Sequence, residues 1–489
     1  MATSLSPAFA ADHAPKALRV LAKPTGAICN LDCDYCFYLS KEQLYAGGSF
    51  RMSDEVLRAY IQQILAGHEQ YDEVVVAFQG GEPTLMGLDF FRRTLDLERT
   101  FARPGQRIVN TVQTNATLLN NEWGEFFARH KFLVGVSIDG PRRLHDAYRV
   151  DKGGNPTFDR VMRGLRALTR HRVEWNALTT VNAANEDHGR EVYEFLRDDC
   201  GARHLQFIPV VERTTPESLA SLATRHGSRG PARPFYRQEG NQVTSRSTQA
   251  ARYGRFMMDV FDEWVRRDVG RVYVQAFETA LGHWLALEQA GLCVHAKTCG
   301  TQMAIEHNGD VYSCDHYVEP QYRLGNISEG HTLGSLARSE RQHTFGQNKY
   351  DTLPRYCLEC EVRFACNGGC PKDRFVVSPD GEPGLNYLCD GYRTFFSHID
   401  RPMQIMAALL RARRTPTEVM SLIGSEVVDR TQGSGTRKGD ESRLPEPAPV
   451  EERTQGGGSN DSAEPERHRA KGGQEDDTFH PAHITFVWK

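Results

Sequence analysis

Between residues 18 and 210, short apolar runs alternate with longer amphipathic stretches. Residues 18–22 (LRVLA) predict a first strand that ends at Lys23-Pro24. Residues 73–78 (EVVVAF) carry a β-branched run and predict a buried second strand. Residues 107–113, 132–138, 175–181 and 205–210 predict four more. Helical periodicity fills the gaps, over 54–65 with Ser53 as N-cap, over 121–129 and over 158–171. Strands alternating with helices imply an α/β fold with a parallel sheet. Six such units fit a partial (β/α)6 barrel, which places chemistry at the C-terminal ends of its strands.

The pattern then changes. Residues 212–245 are rich in Arg, Thr, Ser, Gly and Pro and read as a partly mobile loop. A helix over 253–269 follows, with Phe256, Val260, Phe261 and Trp264 on its apolar side. Residues 403–414 continue a further helix, and Thr415-Pro416-Thr417-Glu418 starts a short one. Residues 1–16 read as a loose end, and 430–478 as disordered by composition. The chain closes on a small apolar tag, Ile484-Thr485-Phe486-Val487-Trp488.

A net charge of −4 gives no reason to expect nucleic acid or an anionic membrane as partner. No apolar run reaches membrane-spanning length. Ala8-Phe9-Ala10 is not preceded by a basic region and an apolar one, so a signal peptide is not expected. The twelve cysteines are grouped: three at 29–36, Cys200 alone, and eight between 293 and 389. Tight local spacing in so long a chain favours metal ligation over disulfides, hence a reducing, cytoplasmic setting.

Cys29, Cys33 and Cys36 are spaced C-x3-C-x2-C, with no fourth cysteine nearby. Three thiolates on one loop suit a cubane iron–sulfur cluster whose fourth iron stays open to a small molecule. A zinc loop completed from afar, or three buried structural cysteines, are the alternatives. Gln79-Gly80-Gly81-Glu82-Pro83 follows the second strand, and its glycines would let a ligand approach the backbone. Glu82 can accept from an ammonium group. Ser137-Ile138-Asp139-Gly140-Pro141 ends the fourth strand, and Ser137 and Arg149 offer donors and charge to a carboxylate or ribose. A capped turn with a surface salt bridge is the plainer alternative. In the second region Cys293, Cys299, Cys314, Cys357, Cys360, Cys366, Cys370 and Cys389 make two sets of four. Two further cubanes, or two zinc sites, satisfy that count.

The C-x3-C-x2-C loop followed by GGEP resembles the radical S-adenosylmethionine (SAM) superfamily, and the second region resembles its SPASM extension. Cys36-Phe37-Tyr38, Gly309-Asp310-Val311-Tyr312-Ser313-Cys314-Asp315, Leu324-Gly325-Asn326-Ile327 and Leu385-Asn386-Tyr387 narrow the resemblance to anaerobic sulfatase-maturating enzymes, over about 18–405. It implies a flexible N-terminus at 1–16 and a radical SAM partial barrel at 17–245. A SPASM domain at 246–405, C-terminal helices at 406–429 and a disordered tail at 430–489 complete the division.

The resemblance also implies three [4Fe–4S] clusters and SAM. The first cluster would use Cys29, Cys33 and Cys36; the second Cys293, Cys299, Cys314 and Cys370; the third Cys357, Cys360, Cys366 and Cys389. Tyr35, Gly80, Gly81, Glu82, Ser137, Arg149 and Val211 would contact SAM. Tyr38 and Gln79 would face the substrate, and Asp315 would be the catalytic base. The implied activity is oxidation of a cysteine or serine in a sulfatase to Cα-formylglycine, begun by Cβ hydrogen abstraction with a 5′-deoxyadenosyl radical. Its partners would be an unfolded or nascent sulfatase polypeptide and a reduced flavodoxin- or ferredoxin-like electron donor. Another SPASM maturase, forming a thioether or carbon–carbon link on a precursor peptide, and a non-catalytic cluster scaffold are the rival readings. Cys200 fits no ligand set and reads as a thiol with no catalytic part.

Overall fold

The computed structural model describes residues 18–68, 73–223, 233–287 and 291–423. The predicted N-terminal arm, the 430–489 tail and its apolar tag lie outside them. Six parallel strands form in sequence order: β1 (Arg19–Lys23), β2 (Glu73–Phe78), β3 (Arg107–Thr114), β4 (Leu133–Ser137), β5 (Trp175–Val181) and β6 (His204–Pro209). Each lies within a residue or two of its predicted span. Along β2, Val74, Val76 and Phe78 are buried on the outer face. That face receives helices α1 (Asp54–Ala66) and α2 (Leu88–Phe101), with Phe78 edge-on to Phe91 at 5.5 Å. Ser53 caps α1 by accepting from the Val56 amide. Helices α3 (Asn121–His130) and α4 (Phe158–Arg170) cover the next strands in the same way.

The sheet does not stop at six strands. After the short ribbon β7 (Arg213–Thr214) and β8 (Gln242–Val243), strand β9 (Tyr273–Val274) adds parallel to β6. At the other edge β10 (Gln302–Glu306) pairs parallel with β1. Strands β11 (Asp310–Tyr312) and β12 (Arg323–Asn326) follow antiparallel, giving ten strands in all. Strands of the cysteine-rich region therefore extend the barrel sheet itself.

One expectation needs correction. The stretch 212–245 contains the β7–β8 ribbon and a helix, Pro216–Ala223, because Glu212 accepts from Thr244 and Arg246 and holds the ribbon closed. The helix expected to continue over 403–414 begins at Cys389. It runs to Arg411 and crosses the expected 405/406 boundary, with Pro402 accommodated inside it. The predicted 253–269 helix is α5 (Ala250–Arg267). The remaining short hairpin is β13 (Arg374–Val377) with β14 (Pro383–Asn386).

Candidate active site

The three-cysteine loop leaves the end of β1 and is fastened on two sides. Asp32 N donates to Val150 O and Asp34 N to Tyr148 O, both at 2.9 Å, so the loop lies along the chain after β4. On the other side Gly81 N donates to Gly26 O at 2.8 Å and Glu82 N to Ile28 O at 3.0 Å. A Cβ on Gly81 would stand 1.9 Å from the Ile28 carbonyl oxygen. The space a side chain would need here is taken by the chain's own cluster loop.

Glu82 is fully buried. Its carboxylate accepts from Thr84 N at 3.0 Å, Thr84 Oγ1 at 2.6 Å, Thr114 Oγ1 at 2.7 Å and Asn115 N at 2.8 Å. Three of these donors fall on Oε1 and one on Oε2, and the side chain joins the ends of β2 and β3. Arg149 and Tyr35 are likewise turned inward. Arg149 Nη2 donates to Asp139 Oδ1 at 3.0 Å, with Nε 2.9 Å from Oδ2, and the Tyr35 phenol donates to Oδ2 at 2.5 Å. Burial pushes the Asp139 carboxyl up, but the Arg149 guanidinium outweighs it and holds the group below the ordinary range. This is a buried cluster, not the surface salt bridge weighed from sequence. Ser137 Oγ accepts from Gln113 Nε2 at 3.1 Å, and Val211 is buried beyond the end of β6.

Strand register aligns further side chains. Lys23 pairs with Glu306 across β1 and β10, and Ala22 pairs with Phe78, which puts Gln79 beside Lys23. Directly paired residues share a face, so Glu306, Lys23 and Gln79 form a row at the strand ends. The Tyr38 phenol donates to Glu306, and the Lys23 ammonium lies 3.8 Å from the centre of the Tyr38 ring. Lys23 and Glu306 went unnoticed in the sequence. One closes an apolar run and the other a strand too short to show periodicity.

Asp315 opens a short turn after Cys314 and is buried. The side chains of Cys314, Asp315 and His316 converge within 4.8 Å of one another. The His316 ring stacks on Phe37 at 5.5 Å, so the Asp315 turn abuts the residue that follows Cys36. The structure therefore brings the predicted base to the three-cysteine loop, more than 270 residues away in sequence.

All twelve cysteines are thiols, none in a disulfide. Burial pushes Cys29 well above its ordinary value, with Glu82, Cys33 and Cys36 adding to it, and pushes Cys33 up to about 12. Such thiols are protonated at neutral pH, and become thiolates only around a cationic centre. The eight later cysteines divide by proximity. Cys370 feels Cys293 and Cys314, while Lys349 feels Cys293, Cys370 and Cys299. Cys366 feels Cys389, Cys357 and Cys360, and these four line one cavity. Buried cations accompany them. Lys349 Nζ donates to Cys293 O at 2.6 Å, and Arg374 caps the carbonyls of Asn367 and Gly368 at 2.9 Å. Residues Asn367, Gly368 and Gly369 are successively left-handed, a turn that swings Cys370 away from Cys366. The donor sets fit one three-thiolate and two four-thiolate iron–sulfur clusters. Cys200 packs against the core.

Comparison with known proteins agrees with this geometry. Residues 24–196 match the radical SAM superfamily, and 293–361 match an iron–sulfur cluster-binding domain. The chain is 43% identical to a serine-type anaerobic sulfatase-maturating enzyme of Bacteroides thetaiotaomicron, over 85% of this chain and 97% of the relative. The chain belongs to the anaerobic sulfatase-maturating enzyme family. A cysteine-type member from Clostridium perfringens is 32% identical over 78% of this chain and 96% of its own. A solved structure of native anSMEcpe with bound AdoMet and the Cp18Cys peptide superposes with a TM-score of 0.68. It is 31% identical, over 80% of this chain and 99% of that one. Radical SAM chemistry, with SAM and [4Fe–4S] clusters as cofactors, is thus the chemistry of this family member. Among the described residues no helix is long and apolar enough to cross a membrane.

Proposed function

We propose that this enzyme oxidises an active-site serine or cysteine of a sulfatase to Cα-formylglycine. The observation that carries the reading is the seating of the Asp315 turn against the three-cysteine loop through Phe37 and His316. Cys29, Cys33 and Cys36 would hold the SAM-binding cluster, with the other eight thiols holding two more in the sets given above. When bound there, SAM and the cluster would supply the radical chemistry that removes a hydrogen atom from the substrate Cβ.

The protein's own residues do the rest. Forming the aldehyde or thioaldehyde also requires loss of the hydroxyl or thiol proton, which Asp315 would take as general base, and of a second electron, which a cluster held by the later eight thiols would accept. Gln79 and Tyr38, in the row with Lys23 and Glu306, would orient the peptide. Gly80, Gly81, Ser137 and Val211 would line the SAM site, while Tyr35, Arg149 and Glu82 hold its walls in place. Excluding water and fixing geometry are the contributions expected of the protein when a cofactor carries the difficult step. An unfolded or nascent sulfatase fits a base lying next to the radical source, because the target side chain must reach both. A reduced flavodoxin- or ferredoxin-like protein would supply the electron, in the cytoplasm.

Anaerobic incubation with SAM, a reductant and sulfatase-motif peptides in serine and cysteine versions tests the reading. The 43% identity to a serine-type enzyme makes the serine peptide the first to try. A mass loss of about two hydrogens for the serine peptide is expected. SAM cleavage with neither peptide altered would refute it.

A further inference from the structure

The three-cysteine loop is gripped by a residue that neither the motifs nor the comparisons single out. Arg233 Nη1 donates to the carbonyls of Asp34 and Cys36, both at 3.3 Å. Its Nη2 donates to Cys33 O at 3.2 Å and Asp32 Oδ1 at 3.0 Å. The side chain is only 11% exposed. One planar fork thus closes over three backbone carbonyls and a carboxylate between and beside two of the three thiols.

Arg233 does not hang free. Gln43 Nε2 donates to its carbonyl at 2.7 Å, and Tyr236 N to Ser40 Oγ at 3.0 Å. Lys41 Nζ donates to Tyr236 O at 2.7 Å and pairs with Glu319 at 3.3 Å, and Gln238 N donates to Glu319 as well. Residues 233–238 therefore form a strap, bound to the turn after Cys36 on one side and to the segment after Asp315 on the other.

We propose that Arg233 is a positioning residue for the first cluster, clamping its loop and setting its reduction potential from outside the ligand set. The proposal rests on the reading that Cys29, Cys33 and Cys36 bind that cluster. A cation beside an anionic cluster stabilises the more negative, reduced state and so raises the potential. The fork also needs its shape. Lysine keeps the charge but cannot bridge four acceptors.

The test uses the full chain, reconstituted anaerobically. Redox titration followed by the SAM-responsive EPR signal gives the potential of the open-iron cluster, and iron release to a chelator gives the grip of the loop. Arg233→Gln should move the midpoint to more negative values and release the first cluster's iron about tenfold faster, the usual scale for a support of metal ligands. Arg233→Lys should restore the midpoint but not the slow release. The iron of the two other clusters should leave at the wild-type rate in both variants. Wild-type midpoint and release in Arg233→Gln, or loss of all three clusters together, would overturn the proposal. A wild-type protein with no SAM-responsive signal would overturn the cluster reading, and this proposal with it.

Discussion

The Tyr35 phenol donates to Asp139 Oδ2 at 2.5 Å, tying the three-cysteine loop to the residues that follow β4. Asp139 also accepts from Thr180 N and Thr180 Oγ1, both at 3.0 Å, and pairs with Arg149. One carboxylate thus joins the loop, the end of β4 and the end of β5. Asp139→Asn leaves the Arg149 charge buried with no counter-charge. Breaking a buried pair in this way costs about 3–5 kcal/mol. The variant should melt well below wild type and bind SAM poorly even when folded, as read by calorimetry and equilibrium dialysis.

Asp315→Asn removes the proposed base while keeping the size of the side chain. Loss of general-base assistance should lower formylglycine formation by at least about 100-fold. All three clusters and SAM cleavage should remain, seen as unchanged iron content and continued 5′-deoxyadenosine release without peptide oxidation. Product at the wild-type rate would remove Asp315 from the mechanism.

The division of the eight later thiols can be read by iron counting. Cys366→Ala and Cys370→Ala should each lose about four of about twelve irons, and the double variant about eight. Cys200→Ala should lose none. A double variant no worse than either single one would place both residues on the same cluster.

Gly81→Ala puts a methyl 1.9 Å from the Ile28 carbonyl oxygen, which is backbone and cannot swing aside. The loop must move, so the first cluster should fail to assemble while the other two form. Iron and sulfide analysis should show about two-thirds of the wild-type content.

Glu98 offers a test in pH. It is buried, and burial pushes its carboxyl up to about 7, against an opposing hydrogen bond from Asn110 Nδ2 at 3.0 Å. Between pH 4.5 and about 7 the folded state therefore binds more protons than the unfolded one, and stability falls as pH rises through that window. The shift corresponds to a loss on the order of 3 kcal/mol. Glu98→Gln removes the charge, so its melting temperature should gain on wild type from pH 5 to 8. A constant difference across that range would show that Glu98 ionises without cost.

The barrel was legible in the sequence because strands β1 to β5 bury β-branched residues beside amphipathic helices, and both periodicities survive in the residues. The thiols were legible because cluster ligands must come at fixed local spacing. What escaped was long-range pairing. Nothing local marks Lys23 as the neighbour of Glu306, or Arg233 as the clamp on Cys33 and Cys36. Glu82 and Arg149 were singled out as contacts for SAM, but their partners inside the protein, Thr114 and Asp139, could not be read from the sequence, because partners are set by the fold rather than by spacing.

The parallel register of β1 on β10 has one more consequence. It would work as a gauge between the three-cysteine loop after β1 and the proposed base Asp315, which the β10–β11 hairpin carries. A slip by two residues would preserve every inward and outward side chain, yet shift the base by about 7 Å, well past the span of a hydrogen bond. Main-chain ladder bonds fix that gap, so peptides of differing sequence should all meet the two reacting groups at a single separation.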